Sequence, residues 1–200
     1  MIGRFDFRAG AKGPGVWTRA MLAVATLLMA APASAATWIV DRDASHLTFS
    51  GTQTGARFEG RFGSWDATIE FDPASPEKGK IVAVIDVASA RTGDAQRDTA
   101  IPQAEWFDAG AFPQARFETA SIRAKGGNSY EAVGTLTLRG ISRDVVLPFT
   151  LDIQDGVAKA QGKLDLIRTD FGIGQGPWAS GQWVGLDVGV SVDLVARRAD

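Results

Sequence analysis

Tyr130-Glu131-Ala132-Val133-Gly134-Thr135-Leu136-Thr137-Leu138, followed by Val145-Val146-Leu147-Pro148-Phe149-Thr150-Leu151-Asp152-Ile153, is the stretch that decides the fold. Tyr130, Ala132, Gly134, Leu136 and Leu138 alternate with Glu131, Val133, Thr135 and Thr137. Val145, Leu147, Phe149, Leu151 and Ile153 do the same in the second half. A period of two sends alternate side chains to opposite faces, so these are two strands sharing one strongly apolar face. Arg139 to Asp144, polar and with one glycine, reads as a longer hairpin loop between them. Pro148 has no N–H to give to a ladder, so it marks either a bulge or an edge. Such a hairpin needs a partner surface for its apolar face.

Working outward, the same alternation recurs along most of the chain. Thr37 to Val40, His46 to Gly51, Arg57 to Phe62 and Thr68 to Phe71 read as strands before Asp72-Pro73 and Pro76 interrupt. Ile81 to Val87 is apolar on both faces, the pattern of a strand covered on both sides. Arg116 to Ala124, Val157 to Ile167 and Trp183 to Ala196 complete the set. The connection over 89–112 differs: Asp94 is a candidate helix cap, and Pro102 to Phe107 looks like a second helical turn. A connection this long carries a function or covers something, and its aromatics Trp106, Phe107 and Phe112 suit a cap over one barrel end. Eight to ten amphipathic strands with few helices predict an all-β protein, an antiparallel barrel of about eight strands that can hold one small ligand.

The 200 residues are 45% hydrophobic and 22% charged, which fits one ordinary globular domain. The first 35 residues read differently. Arg4, Arg8, Lys12 and Arg19 precede an apolar run from Ala20 to Ala31, and Ala33-Ser34-Ala35 supplies a small-residue cleavage pattern. This is the signature of a secretory signal, cleaved after Ala35. The run is shorter than the ~20 residues needed to span a bilayer, so no transmembrane anchor is expected in the mature protein. The expected domain is therefore 36–200 and its location the periplasm. Of 21 Lys+Arg and 23 Asp+Glu in the whole chain, removal of four basic residues and Asp6 leaves 17 against 22, a net charge of −5. That balance argues against a nucleic-acid surface. Cysteine is absent, which removes disulfides and thiol chemistry.

Little in the chain supports catalysis. His46 is the sole histidine and has no visible nucleophile or orienting acid. Zinc-ligand spacing and a phosphate loop are missing; Gly172-Ile173-Gly174 with Gly176 lacks the strand–helix context of a nucleotide motif. Asp165 and Asp170 could serve a glycosidase as paired carboxylates, though pairing with Arg168 is the simpler role. No catalytic residue, metal or catalytic cofactor is expected. The aromatics say more, because an interior rich in Phe, Leu and Val suits a long apolar ligand.

Several segments taken in order resemble the YceI family of periplasmic, lipocalin-like polyisoprenoid-binding proteins. They are Trp38-Ile39-Val40-Asp41, Gly60-Arg61-Phe62, Ile69-Glu70-Phe71-Asp72-Pro73, Thr92-Gly93 with Arg97-Asp98, Trp106-Phe107-Asp108 and Phe112-Pro113 with Phe117. The opening hairpin, Gly134 to Ile141, carries the densest match, and Arg168 to Gly174 closes the set. The resemblance implies an elongated eight-stranded antiparallel barrel, with one or two short helices in the 89–112 connection. Its apolar bore would take the isoprenoid chain of a quinone or a polyprenyl phosphate. The Trp-Phe-Asp version looks like the branch found beside b-type membrane cytochromes, which implies ubiquinone-type ligands and a cytochrome partner. Ser45-His46, Thr99-Ala100-Ile101 and Asp144 depart from the family pattern, so head-group preference can differ.

On this reading the bore residues are Phe49, Phe58, Phe62, Phe71, Ile85, Phe117, Leu136, Leu147, Phe149, Leu164 and Val188. Trp106, Phe107, Phe171 and Trp178 form a mouth or lid. The alternative is a non-enzymatic interaction module whose barrel is filled by its own side chains. Monomer or homodimer, and a role in transport, storage or stress response, stay open.

Overall fold

The computed structural model describes residues 35–199; the segment expected to be a signal peptide lies, but for Ala35, outside the described residues. Eleven strands form one antiparallel sheet: β1 (Ala36–Val40), β2 (His46–Gln53), β3 (Ala56–Phe62), β4 (Trp65–Phe71), β5 (Lys80–Asp86), β6 (Ala90–Arg91), β7 (Gln114–Gly126), β8 (Ser129–Leu138), β9 (Ile141–Gln154), β10 (Val157–Ile167) and β11 (Asp187–Arg198). Three pairs of these are halves of single bent strands. β1 and β2 both pair with β11, β3 and β4 pair with β2 and β1, and β5 and β6 pair with β4 and β3. Counting each pair once leaves eight strands, each beside its sequence neighbours, and β11 closes onto β1 and β2. The result is an up-and-down barrel in which closure removes the free edges.

The hairpin turns show how the sequence builds this meander. Thr54-Gly55, Arg139-Gly140 and Asp155-Gly156 each have positive φ at both central residues, the backbone of type I′ turns whose twist matches that of paired strands. The expected loop over 139–144 is thus shorter: Ile141 to Asp144 already belong to β9 and pair with Leu138 to Thr135. Arg139 tolerates φ 48° because its side chain is tied down, Nη1 donating to the Trp106 carbonyl at 2.7 Å. Gly140, at φ 71°, has no such freedom to change, since a Cβ would stand 2.7 Å from the Phe112 ring. Gly140→Ala is expected to cost about 1–2 kcal/mol, read as a lowered urea midpoint at unchanged slope.

Pro148 sits where one ladder stops. β9 pairs with β10 only from Gln154 to Phe149, while on the β8 side Pro148 faces Glu131. The missing N–H is therefore on a local edge, as one of the two sequence readings has it. β7 carries a bulge between Thr119 and Ser121, and the Thr119 hydroxyl accepts from Ile81 N at 2.8 Å where the β5 ladder ends.

Three expectations need correction. Val82 and Val84 are only half-buried, because they stand on the outer face of a single sheet beside the polar cross-strand partners Thr68, Asp66, Glu118 and Arg116. The last strand begins at Asp187, not Trp183, because the Val184 and Gly185 carbonyls are drawn inward by Arg168. In the 89–112 connection one α-helix forms, α1 (Ala95–Ala100), with Asp94 accepting from Gln96 N and Arg97 N at 3.0 Å as its cap; Pro102 to Phe107 makes hydrogen-bonded turns instead.

Candidate functional site

The inward row of every barrel strand faces a cavity of about 520 Å³, within the usual range for sites that enclose a small organic ligand. The filled-barrel alternative is therefore not the structure adopted. Most of the cavity wall is built from alternation: Leu47 and Phe49 from β2, Ala83 and Ile85 from β5, Leu136 and Leu138 from β8, and Leu147, Phe149, Leu151 and Ile153 from β9. Ala160, Leu164 and Leu166 come from β10, and Val188, Val190, Val192 and Leu194 from β11. Interior space of this size persists because small residues (Ala83, Ala132, Ala158, Ala160 and Gly162) recur on that row.

One end of the barrel is plugged. Trp38, Ile69, Phe71, Ile122, Ala158 and Ala196 form a buried cluster there, with Tyr130 and Phe149 packed against it. Trp38 Nε1 donates to the Phe71 carbonyl at 3.0 Å. Tyr130 meets Phe71 edge-on and stacks on Phe149, with ring centroids 5.6 and 5.4 Å apart. These contacts make a floor.

The opposite end is roofed by two segments, 101–109 and 168–186. Glu105 fastens them together. Its carbonyl accepts from Gly174 N and Gln175 N, and its carboxylate accepts from Trp178 Nε1 at 2.8 Å. Trp106 and Trp178 meet at 5.7 Å, and Phe107 lies edge-on to Phe62 at 6.2 Å. Phe171 is buried beneath, with Ile173 and Leu136.

Arg168 organises this roof. It is 4% exposed, and its guanidinium donates only to backbone carbonyls. Nε reaches Gly185, Nη1 reaches Ile173 and Gly174, and Nη2 reaches Trp178, Ser180 and Val184, at 2.6–3.4 Å. Its Cζ lies 5.4 Å from the Trp106 ring centre. Burial lowers its pKa. Gly174, at φ 82°, has to be glycine because a Cβ would strike the guanidinium. Asp165 and Asp170 are exposed, and among the described residues neither pairs with Arg168, whose charge is met by carbonyl dipoles. His46 is exposed too.

A family model described as YceI-like domain matches residues 38–196. The chain belongs to the YceI-like family. A UPF0312 protein of Pseudomonas savastanoi pv. phaseolicola is 33% identical over 179 residues, covering 84% of this chain and 93% of the relative. Among solved structures, Burkholderia cenocepacia BcnA superposes with a TM-score of 0.76 at 33% identity, covering 78% of this chain and 98% of that one. A YceI protein of Campylobacter jejuni gives 0.65 at 25% identity, covering 72% and 87%. A polyisoprenoid-binding domain from Saccharophagus degradans, at 16% identity, shares the fold with a TM-score of 0.64 over 82% and 99%.

In this YceI-like barrel all eleven residues expected to face the bore, from Phe49 to Val188, lie on the cavity wall, and Trp106, Phe107, Phe171 and Trp178 lie at its roofed end. Phe71 and Phe149 stand at the floor of the cavity. Sequence reasoning missed Trp38, Leu47, Trp65, Leu151, Val190 and Leu194 as lining residues, although the same alternation marks them. It also missed the polar group Gln53, Gln96 and Arg97 at the wall, for which alternation gives no signal because two of the three sit on α1.

Proposed function

We propose that this protein is a binding or carrier protein that holds a polyisoprenoid lipid, a quinone or polyprenyl chain, inside its barrel in the periplasm. The observation that carries the reading is an interior cavity of about 520 Å³ with an almost wholly apolar wall. Each methylene removed from water there contributes roughly 0.8 kcal/mol, so a chain of several isoprene units needs no charged contact to bind. Fold likeness to a domain described as polyisoprenoid-binding agrees with this, and the basic, apolar and Ala-Ser-Ala pattern of residues 4–35 supports export. The reading includes a b-type membrane cytochrome as partner, supported only by the resemblance around Trp106-Phe107-Asp108. No converging nucleophile, base and acid supports turnover, so binding without catalysis is the role proposed.

Organic extraction of the purified protein followed by mass spectrometry tests it. A prenyl lipid in near-stoichiometric amount is expected. Empty extracts from several preparations, together with no uptake of added quinone, would overturn the proposal.

A further inference from the structure

Among the described residues, and apart from tryptophans, five residues with polar side chains line the cavity: Ser50, Gln53, Gln96, Arg97 and Arg168. Two are already committed. Arg168 spends its donors on carbonyls of the roof, as described, and the Ser50 hydroxyl accepts from Arg57 on the outer face at 3.2 Å. The remaining three gather at one place, where α1 crosses the end of β2.

The hydrogen bonds there leave donors without protein partners on residues that line the bore. Arg97 Nη1 donates to Gln53 Oε1 at 2.9 Å, and since arginine only donates, this fixes the amide with its oxygen toward Arg97. Gln53 Nε2, with two N–H groups, has no partner among the described residues. Arg97 Nε donates to the Thr92 hydroxyl at 3.3 Å, and its Cζ stands 4.8 Å from the ring centre of Phe58, itself a wall residue. That stacking pins the guanidinium at the boundary between apolar wall and solvent; its side chain is 27% exposed.

The local charge is balanced. Asp94 Oδ2 lies 3.8 Å from Arg97 Nη2. Asp98 accepts from Thr92 N at 2.6 Å and from its hydroxyl at 2.7 Å, bonds that lower its pKa and keep it ionised. With Arg91 beside Asp98, two cations face two anions. A diphosphate wants several uncompensated cations or a row of backbone N–H groups; this cluster offers neither. A carbonyl oxygen needs only donors, and those are present.

We infer that Gln53 and Arg97 form the head-group end of the bore and that they select an uncharged oxygen acceptor, of the quinone carbonyl kind, over a phosphate. The inference rests on the lipid-binding reading above. Three ligands of matched chain length test it by displacement of an apolar fluorescent probe: a prenylated benzoquinone, the corresponding prenyl monophosphate and a plain hydrocarbon. The quinone is expected to bind about tenfold more tightly than the other two. Arg97→Met and Gln53→Leu should each shrink the roughly tenfold gap between quinone and hydrocarbon to near unity, read as the ratio of the two affinities in the same variant. Gln53→Leu covers the case in which Arg97→Met loosens α1, which circular dichroism would report. Tighter binding of the phosphate than of the quinone, or unchanged quinone affinity in both variants, would overturn the head-group assignment while leaving the lipid-binding reading intact. Failure of all three ligands to bind the unaltered protein would overturn both.

Discussion

Arg168→Met is expected to lower stability by about 3–5 kcal/mol and to release the segment 172–186 to proteolysis. The reasoning is local. Six carbonyls converge on one buried guanidinium, and methionine fills the volume while donating nothing. Carbonyls shielded from water then lack partners, and the segment must open to hydrate them. Lysine would retain the charge but not the planar fork, so Arg168→Lys should recover less than half of the loss. Urea denaturation and limited trypsin digestion read the two effects. A loss below about 1 kcal/mol with an intact proteolytic pattern would mean that the roof is held chiefly by Glu105 and the stacked indoles.

Ala160→Trp is expected to abolish lipid uptake, by a factor of about 100 or more, without weakening the fold. Ala160 is on the inward row of β10, between Leu151 and Leu194 on the adjoining strands, and its methyl looks into the cavity. In a packed interior an indole there would cost about 1–3 kcal/mol through displaced neighbours. In a void it buries its own ring and removes the room a prenyl chain would use. The two measurements separate these cases. Retained stability with lost binding supports an open bore, and lost stability with retained binding would refute it.

The alternation that marks the opening hairpin settles more than its own two strands. Because side chains on a strand change face at every residue, Phe49, Ile85, Leu136, Leu164 and Val188 could be assigned inward from spacing alone, and closure of the meander brings them to one cavity. The same rule placed Trp38 and Leu194 inward had it been applied to every strand. It fails where the chain leaves the sheet. Asp94 was legible as a cap because its carboxylate serves N–H groups two and three residues on, a purely local bond.

Arg168 was not legible in that way. A charged residue among glycines reads as exposed or paired with Asp170, and its burial depends on carbonyls as far along the chain as Gly185. The two-residue turn at Arg139-Gly140 was hidden for a related reason, since a non-glycine residue at positive φ is held there by the carbonyl of Trp106, 33 positions away.

Residues 36–199 thus carry in their own order the strand count, the inward faces and the helix cap, all set by neighbours a few positions apart. The open bore, the carbonyl cage around Arg168 and the meeting of Gln53 with Arg97 were decided only when the barrel closed. Their partners lie far apart in sequence, and no local pattern records how much space the inward side chains leave between them.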